Sequence, residues 1–335
     1  MTLATGVGSM PGGEPLGSET DNAWEYAEAL SVVLGELPEL PHVPELPGRG
    51  AIANMTGRAL AVVAELGADL QPAGWRLTDA AGIDLRRARS LLSQDLDAVE
   101  ERTQDHTGVF KTQLTGPWTL AATVEKPRGD RVLSDHGARR ELAQALAEGV
   151  RTHVADLRRR LPGITELLVQ VDEPALPAVL AGSIPTASGF GRHRTIHPPE
   201  ASEALGWVFD AISESGAVPL AHCCAGDVPV ELLRGAGARG LSVDLAAVGA
   251  AAYDGLAGAL DAGERVLLGV VPALQPETPA TDRAVSEQVQ RWLDMLGLEP
   301  SDNLLLTPAC GLAGASPAWA RQALVSAAKA ARNLS

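Results

Sequence analysis

A histidine and two cysteines are adjacent in the segment A-H-C-C-A-G-D, at the end of a run of residues typical of a buried strand. The one further cysteine of the chain, Cys310, lies far downstream in T-P-A-C-G-L. Proteins bind zinc through cysteine sulfur, histidine nitrogen and carboxylate oxygen. Because alternate residues of a strand face the same side, His222 and Cys224 can bind one ion together, with Cys310 reaching it from a distant strand. Asp244, at the end of an intervening strand pattern, is expected to supply an oxygen ligand or to support a ligand by a hydrogen bond.

Two simpler interpretations of these residues stay open on spacing alone. Buried free cysteines often act as small hydrophobic residues, and His222 would then be a hydrogen-bonded core histidine. The vicinal pair Cys223 and Cys224 could have a redox role, although the usual redox spacing is C-x-x-C. Three cysteines in 335 residues do not make a disulfide framework and are typical of a reducing compartment, so we expect a cytoplasmic protein.

Short β-type runs alternate with amphipathic helical patterns along the chain, which is typical of βα units around a parallel sheet. The eight candidate strands are residues 3–8, 41–43, 109–114, 167–171, 218–222, 240–244, 266–270 and 304–307. Helical patterns over 200–215 and 317–333 place apolar residues on one face, as expected of helices that cover a barrel. We therefore predict an α/β fold, a single (β/α)8 TIM barrel over residues 1–335, with extra helices and loop insertions in 51–106 and 181–199. An open doubly wound sheet is the alternative.

The active site of such a barrel lies at the carboxyl ends of its strands, so the residues after each strand pattern are candidates for function. These sequences are G-V-G-S-M-P-G (6–12), H-V-P-E (42–45), Q-L-T-G-P-W (113–118), Q-V-D-E-P-A-L (170–176), H-C-C (222–224), V-V-P-A-L-Q-P (270–276) and T-P-A-C-G-L (307–312), with Asp244 at the sixth end. The zinc candidates therefore fall where a barrel enzyme has its active site.

Charge and hydropathy exclude several classes of partner. The formal net charge of -15 opposes binding to nucleic acid and to anionic lipid, because both are negatively charged. No run approaches the roughly 20 apolar residues that a membrane-spanning helix needs. We expect a small-molecule substrate, and neither nucleic acid nor a membrane as partner.

The motifs G-V-G-S-M-P-G, Q-L-T-G-P-W-T-L, Q-V-D-E-P-A-L, H-C-C, L-S-V-D-L-A and T-P-A-C-G-L occur in the order and at roughly the spacing of the catalytic barrel of cobalamin-independent methionine synthase. The chain resembles this family, within the uroporphyrinogen decarboxylase/methionine synthase-like superfamily, over essentially its whole length. The resemblance implies a zinc-dependent methyltransferase of methionine biosynthesis, which moves a methyl group onto the thiol of homocysteine.

The family's zinc ligands, which are His, Cys, Glu and Cys, carry over to His222, Cys224, Asp244 and Cys310. Asp244 is one methylene shorter than the family's glutamate. The resemblance therefore implies that Asp244 binds a shifted metal, acts through water, or leaves a position open for substrate.

The resemblance also implies a site for the amino-acid part of homocysteine. The turn of Val7, Gly8 and Ser9 is expected to hold backbone groups of the substrate. Asp172 takes the catalytic position that binds the substrate ammonium group, and Glu45 is a third expected contact.

The positions at which the family handles the methyl donor differ in this chain. An acidic residue of the family aligns with Ala178, a tryptophan aligns near Thr123, and the proton-donating histidine aligns with Leu274. We expect no N-terminal folate-type barrel. The methyl donor is therefore either methylfolate or another source, such as a methylated corrinoid carrier.

Two other functions remain open. A decarboxylase of the porphyrinogen type would share the barrel, would need no metal, and predicts an arginine-rich pocket, for which Arg49, Arg192 and Arg194 are candidates. A non-catalytic zinc- or thiol-binding barrel would keep the metal ligands without the reaction.

Overall fold

The computed structural model describes residues 2–15 and 22–334 and is built on a curled parallel sheet. The strands in this part of the chain are β1 (Leu3–Ala4), β2 (Gly67–Gln71), β3 (Gly74–Thr78), β4 (Gly108–Thr115), β5 (Ile164–Asp172), β6 (Val218–Cys223), β7 (Gly240–Asp244), β8 (Arg265–Val271) and β9 (Leu304–Pro308). Seven of them form the main sheet in the order β1-β9-β8-β7-β6-β5-β4, with every pair parallel. The predicted α/β class and the parallel sheet are confirmed.

The α-helices of the same residues alternate with the strands and cover the outer face of the sheet. They are α1 (Asn22–Glu36), α2 (Met55–Val62), α3 (Ile83–Arg102), α4 (Pro117–Thr123), α5 (His136–Arg160), α6 (Leu176–Leu180), α7 (Pro198–Glu214), α8 (Val230–Gly235), α9 (Tyr253–Asp261), α10 (Asp282–Leu296) and α11 (Pro317–Asn333). Because the helices pack on it, β5 is buried on both faces along residues 167–171. Among the described residues, no helix has both the length and the apolar character that crossing a membrane requires.

The two helices that the sequence predicted begin at capping signals. Ser316 accepts a hydrogen bond from the N–H of Trp319, and Pro317 occupies the first turn, so α11 has the predicted bounds. The helix α7 starts at Pro198, two residues before the predicted start, because proline is favoured in the first turn of a helix.

The segment 41–45 lies between the two edges of the sheet. On one side, Val43 N donates to Lys111 O (3.0 Å) and Lys111 N donates to Pro41 O (2.9 Å). On the other side, Glu45 N donates to Gly8 O (3.1 Å). The predicted strand 41–43 is therefore present as isolated bridges, and no eighth regular strand of the described residues closes the half-barrel.

The region 51–106 contains a unit that the sequence predicted only as extra material. β2 and β3 form an antiparallel hairpin in which Gln71 is opposite Gly74, and α3 packs against β2. Asp95 on α3 is buried and forms ion pairs with Arg49 and Arg58 at 2.7 and 2.6 Å. This unit therefore supports the segment that bridges the sheet edges.

The interior of the curled sheet changes character along the strands. Its amino-terminal end is filled by an apolar layer of Leu40, Leu168, Leu220, Leu267 and Leu305. Toward the carboxyl ends the buried side chains become polar: Thr5, His42, Lys111, Gln113, Gln170, Ser242 and Thr307. The polar end of the interior leads directly to the candidate site.

Candidate active site

A cavity of about 200 Å³ opens at the carboxyl ends of the parallel strands. Its walls are formed by Val7, Gly8, Ser9, Glu45, Met55, Gln113, Asp172, Pro174, His222, Cys224, Cys310 and Gly311. All residues that the sequence assigned to substrate or metal lie in these walls, with the exception of Asp244. The parallel sheet places the ends of separate strands at one edge, and so brings together residues distant in the sequence.

One imidazole and two thiols form a cluster in this cavity. One ligand atom from each of His222, Cys224 and Cys310 lies within 4.8 Å of the others. The Sγ atoms of Cys224 and Cys310 are 2.9 Å apart, and both thiols are free. His222 and Cys224 lie at the end of β6, and Cys310 is two residues past β9. Because β7 and β8 separate these strands, the curvature of the sheet, not strand pairing, brings the side chains together.

The His222 imidazole is oriented by a hydroxyl that the sequence analysis missed. Its Nδ1 lies 3.0 Å from Oγ of Ser242, the residue opposite it in the β6–β7 register. With Nδ1 engaged, Nε2 remains for a ligand, and histidine ligands of metals are ordinarily supported in this way. A signal for Ser242 was available, because it precedes Asp244 by two residues and so faces the same side of the strand. Two sulfurs and a supported imidazole are a donor set that fits zinc.

The two clustered thiols differ in acidity. The hydrogen bond with Cys224, together with one from His222, holds the pKa of Cys310 well below its usual value. The same sulfur–sulfur hydrogen bond, with burial, raises the pKa of Cys224. The pair therefore favours a thiol beside a thiolate, and the thiolate is the form that binds a metal.

Cys223 has a different environment from its two neighbours in the motif. It is fully buried in the hydrophobic core, on the opposite side of β6 from His222 and Cys224. Burial raises the pKa of its thiol to about 12. Cys223 therefore packs as a small apolar residue, and the vicinal pair does not face a common site.

Asp244 is not part of the cluster. Its Oδ1 accepts a hydrogen bond from the N–H of Ala246 (2.9 Å), and its carbonyl accepts from the N–H groups of Ala247 and Val248. The carboxylate therefore caps the turn after β7. The structure brings together three of the four residues that the sequence assigned to the metal.

Asp172 and Glu45 place two carboxylates in the cavity wall. Burial raises the pKa of Asp172 to about 7, and its Oδ1 accepts a hydrogen bond from Nε2 of Gln170 (2.7 Å). Glu45 accepts from Nε2 of Gln113 (3.0 Å) and lies 3.3 Å from Nε of Arg58. Two acids on one small cavity can bind a cation such as an ammonium group.

The turn of Val7, Gly8 and Ser9 lies between the bridging segment and the loop after β9. Gly8 has φ of +155°, and a Cβ on it would lie 2.6 Å from the side chain of Gln113, so this position requires glycine. A Cβ on Gly311 would overlap the Ser9 hydroxyl. The glycines of G-V-G-S and C-G-L therefore let two loops approach each other around the cavity.

Glu173, next to Asp172, has a structural role that the sequence analysis missed. Its buried carboxylate accepts hydrogen bonds from the N–H of Trp118 (2.9 Å) and from the N–H and hydroxyl of Thr119 (2.8 and 2.6 Å). Burial raises its pKa to about 7. Glu173 thus attaches the D-E-P motif to the start of α4, which carries the L-T-G-P motif.

The three residues that the resemblance places at methyl-donor positions lie outside the cavity. Ala178 lies in α6, Thr123 ends α4, and Leu274 is 61% exposed in the loop after β8. None of the three lines the cavity wall.

The arginines proposed for a porphyrinogen pocket do not converge. Arg49 is buried in its ion pair with Asp95, whereas Arg192 and Arg194 are exposed. Within residues 2–15 and 22–334, no arginine lines the cavity.

Comparison with known proteins supports the family resemblance that the sequence motifs indicate. The family described as cobalamin-independent synthase, catalytic domain, matches residues 80–333. A B12-independent methionine synthase from Shewanella sp. W3-18-1, solved in complex with selenomethionine, has a TM-score of 0.64 at 15% identity and covers 98% of this chain and 96% of its own. At this identity the likeness shows the fold alone.

Other comparisons are more distant. The catalytic domain of an endo-beta-1,4-mannanase from Bacillus sp. JAMB-750 has a TM-score of 0.47 at 15% identity, over 92% of this chain and 77% of its own. None of the curated proteins compared matches the chain. Because the family match spans well over half of the residues, this chain belongs to the family of cobalamin-independent synthases, as a catalytic domain.

Proposed function

We propose that the protein is a zinc-dependent methyltransferase that transfers a methyl group onto the thiol of homocysteine to give methionine. The observation that carries this proposal is the meeting of His222, Cys224 and Cys310 with Asp172 and Glu45 in one cavity. One small molecule in the cavity can thus place its thiol on a metal held by the cluster and its ammonium group against the two carboxylates. Membership of the synthase family supports the reaction class.

We infer zinc from the donor set of the cluster. Zinc held by His222, Cys224 and Cys310 would lower the pKa of a substrate thiol, so that its sulfur is nucleophilic at neutral pH. We propose that Asp244 leaves the fourth position open, because its carboxylate caps a turn. Catalytic zinc sites commonly have three protein ligands and an open position.

The chain's own residues would bind and orient the rest of the amino acid. Asp172 and Glu45 accept hydrogen bonds from the ammonium group, and a neighbouring cation favours the ionised form of Asp172. The turn of Val7, Gly8 and Ser9 contacts the remaining backbone atoms of the substrate. The selenomethionine bound in the Shewanella synthase supports an amino acid as the ligand.

We also propose that the chain has the architecture of a (β/α)8 TIM barrel, as a single domain over residues 1–335. The segment 41–45 would be its second strand. Its backbone hydrogen bonds to both edges of the sheet support this proposal.

We propose a methyl donor other than folate, such as a methylated corrinoid. The support is that Ala178, Leu274 and, nearby, Thr123 are the residues that the resemblance places where the family handles the donor. A porphyrinogen decarboxylase has no support from the cavity, which at about 200 Å³ is smaller than the roughly 300 to 1,000 Å³ of ordinary ligand sites.

The first test is the zinc content of purified protein, measured by elemental analysis. Wild type and Cys223→Ser should hold about one zinc per chain, because Cys223 faces the core. His222→Ala, Cys224→Ser and Cys310→Ser should each lose most of the metal. Full zinc occupancy in Cys310→Ser would refute the proposed cluster.

The second test is methionine formation from homocysteine by the zinc-loaded protein, with methylcobalamin or methyltetrahydrofolate as donor. Methionine from methylcobalamin alone would support both parts of the proposal. Methionine from the folate alone would support the reaction and contradict the donor. A zinc-loaded protein that neither binds homocysteine nor makes methionine with either donor would instead be a non-catalytic zinc barrel.

A further inference from the structure

A lysine is completely buried beneath the cavity, on β4. Lys111 has no exposed surface, and its Nζ donates to Val7 O (2.8 Å) and to Oε1 of Gln113 (3.2 Å). Both acceptors are uncharged. A buried ammonium group has a high desolvation cost, so its presence in the middle of a strand calls for compensation by nearby groups.

Gln113 connects this lysine to the carboxylate of Glu45. Because the Gln113 side-chain oxygen accepts from Lys111, its amide nitrogen is directed away from the lysine. That nitrogen donates to Val43 O (2.8 Å) and to Oε1 of Glu45 (3.0 Å). The lysine therefore determines which end of the amide faces Glu45.

A second amide supports Asp172 in the same layer. Gln170 is the register partner of Gln113 in the β4–β5 pair. Its Nε2 donates to Oδ1 of Asp172 (2.7 Å) and to Val7 O (3.0 Å). The carbonyl of Val7 thus accepts hydrogen bonds from both Gln170 and Lys111. The three buried side chains Lys111, Gln113 and Gln170 therefore orient Glu45, Asp172 and the turn that carries Val7.

The charges of the two cavity acids also act on Lys111. Burial lowers the pKa of Lys111 to about 8, and the charges of Asp172 and Glu45 oppose that effect. The attraction is mutual, so the ammonium group of Lys111 favours the ionised form of Asp172.

We propose that Lys111, acting through Gln113 and through the Val7 carbonyl that it shares with Gln170, is a positioning residue that holds Glu45 and Asp172 in the orientation that binds the ammonium group of the amino-acid substrate. This inference rests on the proposed function, because it takes an α-amino thiol as the ligand. It predicts that Lys111 affects recognition of the amino group and not of the thiol.

Isothermal titration calorimetry on zinc-loaded protein tests this, with L-homocysteine and 4-mercaptobutanoate as ligands. The second compound is homocysteine without its amino group. Lys111→Met, which keeps the length of the side chain and removes the charge, should weaken homocysteine binding by about 10- to 100-fold, as expected when hydrogen bonds to charged groups are lost. Binding of 4-mercaptobutanoate should change by less than about threefold, and zinc content should not change.

Two further variants complete the test. Gln113→Met keeps the lysine and breaks the connection to Glu45, so it should cause the same selective loss. Thr307→Val removes another buried polar group of the interior, whose hydroxyl has no hydrogen-bond partner in the structure, and should leave both ligands bound as in wild type.

The outcomes separate this inference from the proposed function. Equal loss of both ligands in Lys111→Met, or no loss of homocysteine, would overturn the positioning role while wild-type binding of homocysteine still supported the function. Failure of the wild-type protein to bind homocysteine would overturn both.

Discussion

Replacement of Ser242 by alanine should weaken zinc binding without removing a ligand. The hydroxyl of Ser242 is 3.0 Å from Nδ1 of His222, and the two residues are 1% and 4% exposed, so solvent does not readily restore the lost hydrogen bond. Loss of such a partner behind a histidine ligand typically lowers metal affinity by about 10- to 100-fold. That range corresponds to about 1.4 to 2.8 kcal/mol.

The assay is competition for zinc with a chromophoric chelator at fixed pH, which gives a dissociation constant for each variant. Ser242→Ala should raise this constant by the stated factor, whereas Ser242→Thr keeps a hydroxyl and should stay within about threefold of wild type. The metal-free Ser242→Ala protein should also lose about 1 to 3 kcal/mol of unfolding free energy, because Nδ1 of His222 is left buried and unpaired.

A matched control is available in α10. Ser286 is also buried, and its hydroxyl donates to main-chain carbonyls of Asp282 and Arg283. Ser286→Ala should leave zinc affinity unchanged. An unchanged zinc dissociation constant in Ser242→Ala would refute the view that this hydroxyl supports the imidazole as a ligand.

Three further predictions concern stability and the cluster. Burial raises the pKa of Glu173 from 4.5 to about 7 in the folded protein. Between these pH values the native state holds a proton that the unfolded state has released. The free energy of unfolding should therefore fall as the pH rises through this range. Glu173→Gln should remove up to about 3 kcal/mol of that fall in denaturant titrations, and an unaltered pH dependence would contradict the assignment. Asp95→Asn should lower the free energy of unfolding by about 3 to 5 kcal/mol, because it leaves the buried Arg49 and Arg58 with less compensating charge. A loss below about 1 kcal/mol in denaturant titrations would show that these ion pairs do not stabilise the fold. Oxidation of the metal-free protein by diamide should join Cys224 to Cys310, as peptide mapping would reveal, whereas a disulfide to Cys223 would place the thiols differently.

The main sheet was predictable because its strands are buried on both faces and read as continuous apolar runs. The prediction for 266–270 agrees with β8, which spans Arg265–Val271. β1 is shorter than predicted: the Thr5 N–H still bonds to Leu306 O, but at Gly8 the chain packs against the Gln113 side chain. The hairpin β2–β3 was missed, since its strands mix polar and apolar residues and carry no clear alternation.

The site was predictable where spacing alone determines direction. His222 and Cys224, two apart on one strand, face the same side in any regular sheet. The orientation of Asp244 was not predictable, because hydrogen bonds of the following turn decide between the cavity and the backbone. A lysine inside an otherwise buried strand pattern indicates a polar partner, and Lys111 has two, the Val7 carbonyl and the Gln113 side-chain oxygen, both on residues of the cavity wall.

The charges around the cavity connect the metal to the buried lysine. With both clustered thiols and both cavity acids ionised, the site carries four negative charges. Lys111 and Arg58 contribute two positive charges, while Arg49 and Asp95 form a neutral pair. Two negative charges remain uncompensated, and a divalent metal ion would neutralise them.

Without that ion, a proton shared by Cys224 and Cys310 reduces the imbalance, as the opposite shifts of their pKa values indicate. Zinc uptake at neutral pH should therefore release about one proton or more. Calorimetry of zinc binding in buffers of different ionisation enthalpy measures this number. A heat of binding independent of the buffer would mean that both sulfurs are already ionised in the metal-free protein, which contradicts a proton shared between them.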